Sequence, residues 1–291
     1  MPSTPRGRAA FLTVLALCGF AGNSILCRMA LGAGEIDAAT YAAVRLGSGA
    51  VFLAVLASTR PSSGGRRGSW GSAAALFAYA VPFSFAYRTL AAGTGALLLF
   101  AAVQATMISA GLARGERLRA SGWVGFALAL AGLAGLVRPG LAAPAPAGAV
   151  LMAVAGVAWG VYSLRGRRSR DPLADTAGNF SRSAVLAAAV AAAAFSSAHA
   201  SARGVLLAVV SGALASGAGY AVWYAVLPRL AATTAATVQL AVPVLAAAGG
   251  VLFLDEPVTP RLVLASAAIL GGVALAVRGR SPGREPVRDL S

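Results

Sequence analysis

Apolar runs of about membrane length, separated by short charged or Pro/Gly-rich stretches, make up nearly the whole 291-residue chain. Ten runs stand out, near 9–31, 38–58, 69–89, 91–112, 120–137, 147–165, 178–198, 204–226, 231–253 and 260–277. Each is close to the ~20 residues a helix needs to cross the hydrocarbon. The runs are continuous and rich in Ala, Leu and Val, without the alternation of a transmembrane barrel. A helix also satisfies its own backbone in lipid. The pattern predicts an all-α integral membrane protein of ten transmembrane helices. Two runs carry an arginine inside or at the start, Arg45 in the second and Arg182 in the seventh. The stretch from Leu230 to Leu254 is uncharged but holds Thr233, Thr234, Thr237, Gln239 and Pro243. That mixture suits a helix with one face on lipid and another on a polar path.

Composition agrees with the pattern. The chain is 58% hydrophobic and 11% charged, with a mean hydropathy of +0.76, whereas soluble domains carry roughly a quarter charged residues. The net charge of +15 comes from 24 arginines and no lysine. These arginines sit in short clusters between apolar runs, as in cytoplasmic loops, so the charge argues for membrane orientation and against nucleic acid. With the N-terminus inside, ten spans put 18 arginines on the cytoplasmic side and 5 outside, namely Arg28, Arg88, Arg138, Arg203 and Arg261. Both termini are therefore expected in the cytoplasm. The opening MPSTPRGR resembles a signal n-region, but the following run is of membrane length and holds Gly22, Asn23 and Arg28, which reads as a retained first span. Cys18 and Cys27 lie nine residues apart in that run, about 13 Å along a helix, too far for a disulfide.

The chain also repeats itself. LAAPAPAG at 141–148 is a natural linker, and polar landmarks recur in order on either side of it. GFAGNSILCR (19–28) answers AWGVYSLRGR (158–167), and DAATYAAVR (37–45) answers DTAGNFSR (175–182). LAAGTGALLLFAAV (90–103) answers LAATTAATVQLAVP (230–243), and GERL (115–118) answers DEPV (255–258). The expected organisation is a first repeat at 1–140, the linker, a second repeat at 149–278 and a cytoplasmic tail at 279–291. Five spans per repeat is an odd number, so the halves insert in opposite directions, the inverted-repeat plan of secondary transporters.

With GERL at 115–118, DEPVT at 255–259, GYAVWYAVL at 219–227, AVPVLAA at 241–247 and the arginine of TYAAVRLGSGA at 40–50 in order, the chain resembles the EamA-type members of the drug/metabolite transporter superfamily. The resemblance covers nearly the whole chain and implies transport of small metabolites, commonly efflux, across a bacterial cytoplasmic membrane. Amino acids or related compounds are the substrates it suggests. Val242 stands where members often carry an acidic residue before the proline of the ninth helix. Val103 stands at the matching site of the fourth, where proline is common.

No catalytic residues, metal site or cofactor are expected: there is no HExxH, no P-loop, no histidine cluster and no pair of membrane-embedded carboxylates. All nine acidic residues fall in loops or at helix ends. A midplane carboxylate for proton coupling is therefore missing, which favours a facilitator, an exchanger, or coupling through interfacial acids. Arg45 is the costliest residue to insert. The repeat suggests that it pairs with Asp255 or Glu256 outside, while Arg182 pairs with Glu116 inside, as alternating latches; snorkelling or carbonyl capping is the competing reading. Candidates for lining a midplane cavity are Asn23, Ser24, Tyr79, Ser84, Tyr87 and Gln104 in the first repeat. In the second they are Trp159, Tyr162, Ser163, Tyr220, Trp223, Tyr224, Gln239 and Pro243. Asn and Gln in hydrocarbon must find partners and should face the bundle. Pro243 and Pro82 remove helix hydrogen bonds near the midplane, where interrupted helices point to binding sites.

The reading that follows is a secondary transporter of small organic metabolites, an exporter or exchanger, with an anionic or zwitterionic substrate favoured by the outer arginines and the lack of deep acids. Its expected partners are a small metabolite and the lipid bilayer, with a homodimer left open and nucleic acid excluded. The alternatives are a non-transporting membrane protein, such as a sensor or assembly subunit, and, less favoured by the residue inventory, an intramembrane enzyme.

Overall fold

In the computed structural model the described residues are 5–59, 68–115, 117–138, 143–167, 169–226 and 238–281. The helices are α1 (Pro5–Gly32), α2 (Ala38–Ser58), α3 (Trp70–Ala86), α4 (Ala92–Ala113), α5 (Ala120–Val137), α6 (Pro146–Gly166), α7 (Pro172–Ala193), α8 (Ala202–Val226), α9 (Ala241–Leu254) and α10 (Pro260–Arg278). Among the described residues seven are long and apolar enough to cross a membrane: α1, α2, α4, α5, α6, α8 and α10. α3 and α9 are apolar but shorter, at 17 and 14 residues. The fold is that of an all-helical, multi-pass membrane protein.

Local chemistry sets the helix limits. Side chains of Asp37, Ser69, Asp171, Ser201 and Thr259 accept backbone N–H groups at the starts of α2, α3, α7, α8 and α10. Pro146, Pro172 and Pro260 occupy the first turns of α6, α7 and α10, where a missing N–H costs nothing. α9 stops at Asp255, which adopts a left-handed conformation (φ 51°), the usual helix-ending geometry.

Several limits differ from the sequence reading. α7 opens at Pro172 rather than 178 and takes in both Asp175 and Arg182, because its first turns contact protein, not lipid. α6 opens at Pro146, inside the expected linker. Arg117–Leu118 forms a two-residue antiparallel ladder with Arg280–Ser281, tying the start of α5 to the end of α10 (Arg117 opposite Ser281). Pro243 does not kink a continuous helix: residue 238 is helical, 239–240 turn, and α9 begins at Ala241. Pro243 has no N–H to give the Gln239 carbonyl, which accepts from Val242 N instead (3.0 Å).

α2 packs on α7, α4 on α9 and α5 on α10; α6 lies across α3 and α4, and α1 across α8 and α9. Small residues allow the close approaches. A Cβ added at Gly125 would stand 2.5 Å from the Gly272 carbonyl oxygen, and one at Gly272 equally near that of Gly125, so α5 and α10 touch backbone to backbone. Against α2, a Cβ at Gly212 of α8 would meet Arg45 O at 2.1 Å. Here α8 widens into a π-helical stretch, Ser211–Ala218, a feature that often accompanies functional sites. Large apolar side chains such as Phe11, Val51, Val124, Leu252 and Leu264 remain exposed on the outside, as a lipid-facing surface requires.

Candidate functional site

One end of the bundle is closed. The turn between α1 and α2 pairs with the segment before α8: Asp37 N donates to His199 O (2.9 Å), Ser201 N donates to Glu35 O (2.7 Å), and Ile36 and Ala200 form an antiparallel bridge. Side chains reinforce it. His199 N donates to Asp37 Oδ2 (3.2 Å), Ser201 Oγ donates to Glu35, and Arg203 pairs with Glu35 (3.4 Å). Partial burial pushes the Asp37 carboxyl upward. Hydrogen bonds from the Thr40 side chain and from the backbone N–H groups of Thr40, His199 and Ala39 together outweigh it and hold the pKa below its ordinary value.

At the same end Glu256 accepts from Ala92 N, the first residue of α4, at 2.8 and 3.1 Å, and pairs with Arg28 Nε at 3.2 Å. A carboxylate at a helix N-terminus is favourably placed. Arg28 also donates to the carbonyls of Tyr87 and Arg88. This corrects the expected outer latch: Glu256 takes Arg28, and Asp255 serves as the helix stop. Arg182 donates to its own helix at Gly178 O (2.9 Å) and lies over the Trp70 ring (5.7 Å). Its expected partner, Glu116, lies outside the described residues.

The opposite end holds a cleft of about 540 Å³, walled by Ser72, Tyr162, Arg165, Asp175, Asn179 and Tyr224 among others. Gly68 N donates to Asp175 Oδ1 (2.8 Å) and Ser69 N to Asn179 Oδ1 (2.9 Å), while Arg165 reaches Ser72 Oγ (3.0 Å). Asp175 and Asn179 were read only as repeat landmarks; their place one turn apart at the start of α7 was the available signal.

Between the two ends lies a buried centre. Tyr162 stacks on Trp159 (5.5 Å between centroids), and Trp159 meets Tyr79 at 4.9 Å and Tyr220 at 5.1 Å. Phe20 packs against Trp159, Tyr220 and Trp223. Arg45 Nη2 donates to Tyr79 OH (2.9 Å) and its Nε to Ser216 Oγ (3.3 Å). Asn23 Oδ1 accepts from Ser211 Oγ (2.9 Å) and Ser216 Oγ (3.0 Å), both in the π-helical stretch. The structure thus brings Asn23, Arg45, Tyr79, Trp159, Tyr162, Tyr220 and Trp223 together.

Other candidates lie apart from this centre. Ser84 donates to Ala80 O of its own helix (2.9 Å), and Tyr87 OH donates to Ala92 O (3.2 Å) at the α3–α4 turn. Ser24 is buried. Gln104 faces a small void of about 20 Å³ between α4, α5 and α10. Pro243 lines a second hollow with Glu256, Leu262 and Val263. Sequence reasoning missed Tyr41, Phe83, Ser211 and Ser216, which carry no mark in an apolar run beyond their own polarity or ring.

A bundle of apolar helices with a polar cleft at one end, a laced opposite end and a polar, aromatic centre is the architecture of a membrane transporter. The EamA-like transporter family matches residues 146–278. "Uncharacterized protein PA1977" of Pseudomonas aeruginosa is 54% identical over 278 residues, covering 95% of this chain and 96% of its own length. A protein crystal structure shares the fold with a TM-score of 0.64 at 24% identity, over 90% of this chain and 98% of its own. The chain belongs to the EamA-like transporter family of the drug/metabolite transporter superfamily.

Proposed function

We propose that the protein is a secondary transporter of small organic metabolites, an exporter or exchanger working by alternating access between two inverted five-helix repeats. In this reading ten helices span a bacterial cytoplasmic membrane with both termini inside. The cleft lined by Arg165 then faces the cytoplasm, and the pairing of residues 35–37 with 199–203 closes the outer side. The observation that carries the reading is this asymmetry: at one end the loop backbones are paired, and the equally large hollow beside Glu256 is walled mainly by apolar residues of α4, α9 and α10, while the other end opens on a polar cleft of about 540 Å³. The packing supports a two-fold relation, since α2–α7, α4–α9 and α5–α10 are the pairs such an axis would map onto themselves. The five outer arginines support the sidedness: Arg28 and Arg88 lie together, Arg261 donates to Arg138 O (2.7 Å), and Arg203 joins Glu35 in the closed turn.

The test is flux in proteoliposomes over a panel of labelled amino acids and organic acids, with I36C/A200C in a C18S background. Opposed antiparallel residues stand at disulfide distance. Protein-dependent flux should stop on oxidation and return on reduction. No protein-dependent flux of any panel member, or flux unaffected by a verified cross-link, would overturn alternating access through this end.

A further inference from the structure

Arg45 is 1% exposed, and no acidic side chain among the described residues pairs with it. Its two partners, Tyr79 OH and Ser216 Oγ, are neutral, and the rings of Tyr79 and Phe83 lie 5.3 and 4.8 Å from Cζ. Its Nη1 has no hydrogen-bond partner among the described residues. The hydroxyl of Tyr41, one turn earlier on α2 and fully buried, lies beside Cys27 and Ser211 but makes no well-formed hydrogen bond among the described residues. A guanidinium cannot shed its proton to escape burial, and a buried cation without a counter-charge is costly. Acids elsewhere in the bundle are already engaged: Glu256 with Arg28 and Ala92 N, Glu35 with Arg203 and Ser201, Asp37 and Asp175 with backbone N–H groups.

We propose that Arg45 is the anchor of a central site for a small organic carboxylate, with Tyr41 OH as a further donor. The ligand brings the charge that the protein withholds. Terminal guanidinium nitrogens form a planar fork that matches the two oxygens of a carboxylate. Nη2 is lightly engaged by a neutral phenol, so both ends of the fork can serve. Phe83, Tyr79, Trp159 and Tyr220 give the ligand's apolar body rings to lie on. A chain of ring contacts leads from the cleft to the anchor: Tyr162 in the cleft wall, then Trp159, then Tyr79 on Arg45. In the conformation seen these rings fill the route, so the aromatic partition must part for the ligand to reach Arg45. The proposal rests on the transport reading for that route, and replaces the role of outer latch with that of a ligand anchor.

The test uses the full chain in lipid nanodiscs, with benzoate as probe and benzyl alcohol as its uncharged counterpart, at ionic strength matched with chloride. Benzoate should raise the Tm and quench tryptophan fluorescence saturably, while benzyl alcohol does neither. R45M should keep or raise the Tm without ligand, because an unpaired charge gives way to an apolar chain, and should weaken benzoate binding at least tenfold. Y41F, which removes only a hydroxyl without a well-formed bond, should fold normally and weaken binding severalfold. Equal responses to benzoate and benzyl alcohol, or a benzoate response that survives in R45M, overturn the proposal. So does an R45M protein that fails to fold while Y41F binds benzoate like the parent, which would make Arg45 structural. Binding without flux would defeat the transport reading alone, and flux confined to uncharged or cationic metabolites would defeat the carboxylate site alone.

Discussion

At the start of α2, Asp37 caps its own helix and accepts a backbone N–H from His199 in the segment before α8; at the start of α7, Asp175 accepts one from Gly68 in the segment before α3. The device is the same, an aspartate in the first turn of one half reaching the loop of the other. The outcomes differ. Around Asp37 the two loops also pair backbone to backbone, through Asp37 N to His199 O and Ser201 N to Glu35 O. Around Asp175 the contacts to Gly68 and Ser69 come from side chains, and Tyr162, Arg165 and Tyr224 stand back around a cleft. The comparison locates closure in the pairing of the loop backbones, with the aspartate as its support. Side-chain contacts alone leave an end open to water.

The largest effect should come from breaking the closed end. E35A/D37A in a C18S background removes the acceptors of Ser201 Oγ, Arg203 and His199 N and the cap of α2. Each bond contributes about 0.5–1.5 kcal/mol, and every 1.4 kcal/mol is tenfold in an equilibrium. Cys27, buried in α1 toward the closed end, reports opening. Its modification rate by a membrane-impermeant thiol reagent should rise about tenfold or more. An unchanged rate would mean that the backbone pairing holds the end without its side chains.

The mirror experiment is smaller. D175A leaves Gly68 N and Ser169 Oγ without their acceptor, a cost of about 0.5–1.5 kcal/mol per bond at the half-buried wall of the cleft. The Tm in nanodiscs should fall, D175N should recover most of the loss because it keeps an acceptor oxygen, and Cys27 labelling should stay slow. Fast labelling in D175A would show that the two ends are not separately held.

What the sequence could carry depended on range. Helices α2 and α5 were legible to the residue because Asp37 and the charged turn at 117–119 mark their starts. α7 was not, since Asp175 was read as lying in a loop or at a helix end and the span was opened at 178 with Arg182 near its start, whereas Asp175 stands in the first turn of α7 and accepts from Gly68 N. The break before Pro243 was half legible: the lost hydrogen bond follows from proline chemistry, but the turn at 239–240 depends on what the freed carbonyl finds. Pairing partners were least legible. Arg45 was matched to Asp255 or Glu256 on cost and repeat position, yet Arg28, read only as one of the outer arginines, is the residue that α1 carries to Glu256. Distances across 228 residues are set by packing, which no local pattern records.

The last and smallest test sharpens the comparison through pH. The Asp37 carboxyl has a folded-state pKa below its ordinary 3.8. Its ionised form therefore favours the closed, folded state, and that contribution is fully present above the ordinary value. It is lost as pH falls through the lowered folded value. Asp37 is half-buried and still reached by solvent, so the effect is modest. Cys27 labelling, corrected for the reagent's own pH dependence, should be flat from pH 7 to 5. It should rise by at most a few-fold at pH values below 3.8. D37N, which cannot ionise, should label faster than the parent at pH 7 and approach it at low pH. A parallel acid response in D37N would show that the response does not come from Asp37, and would overturn its ionised carboxyl as a support of the closed end.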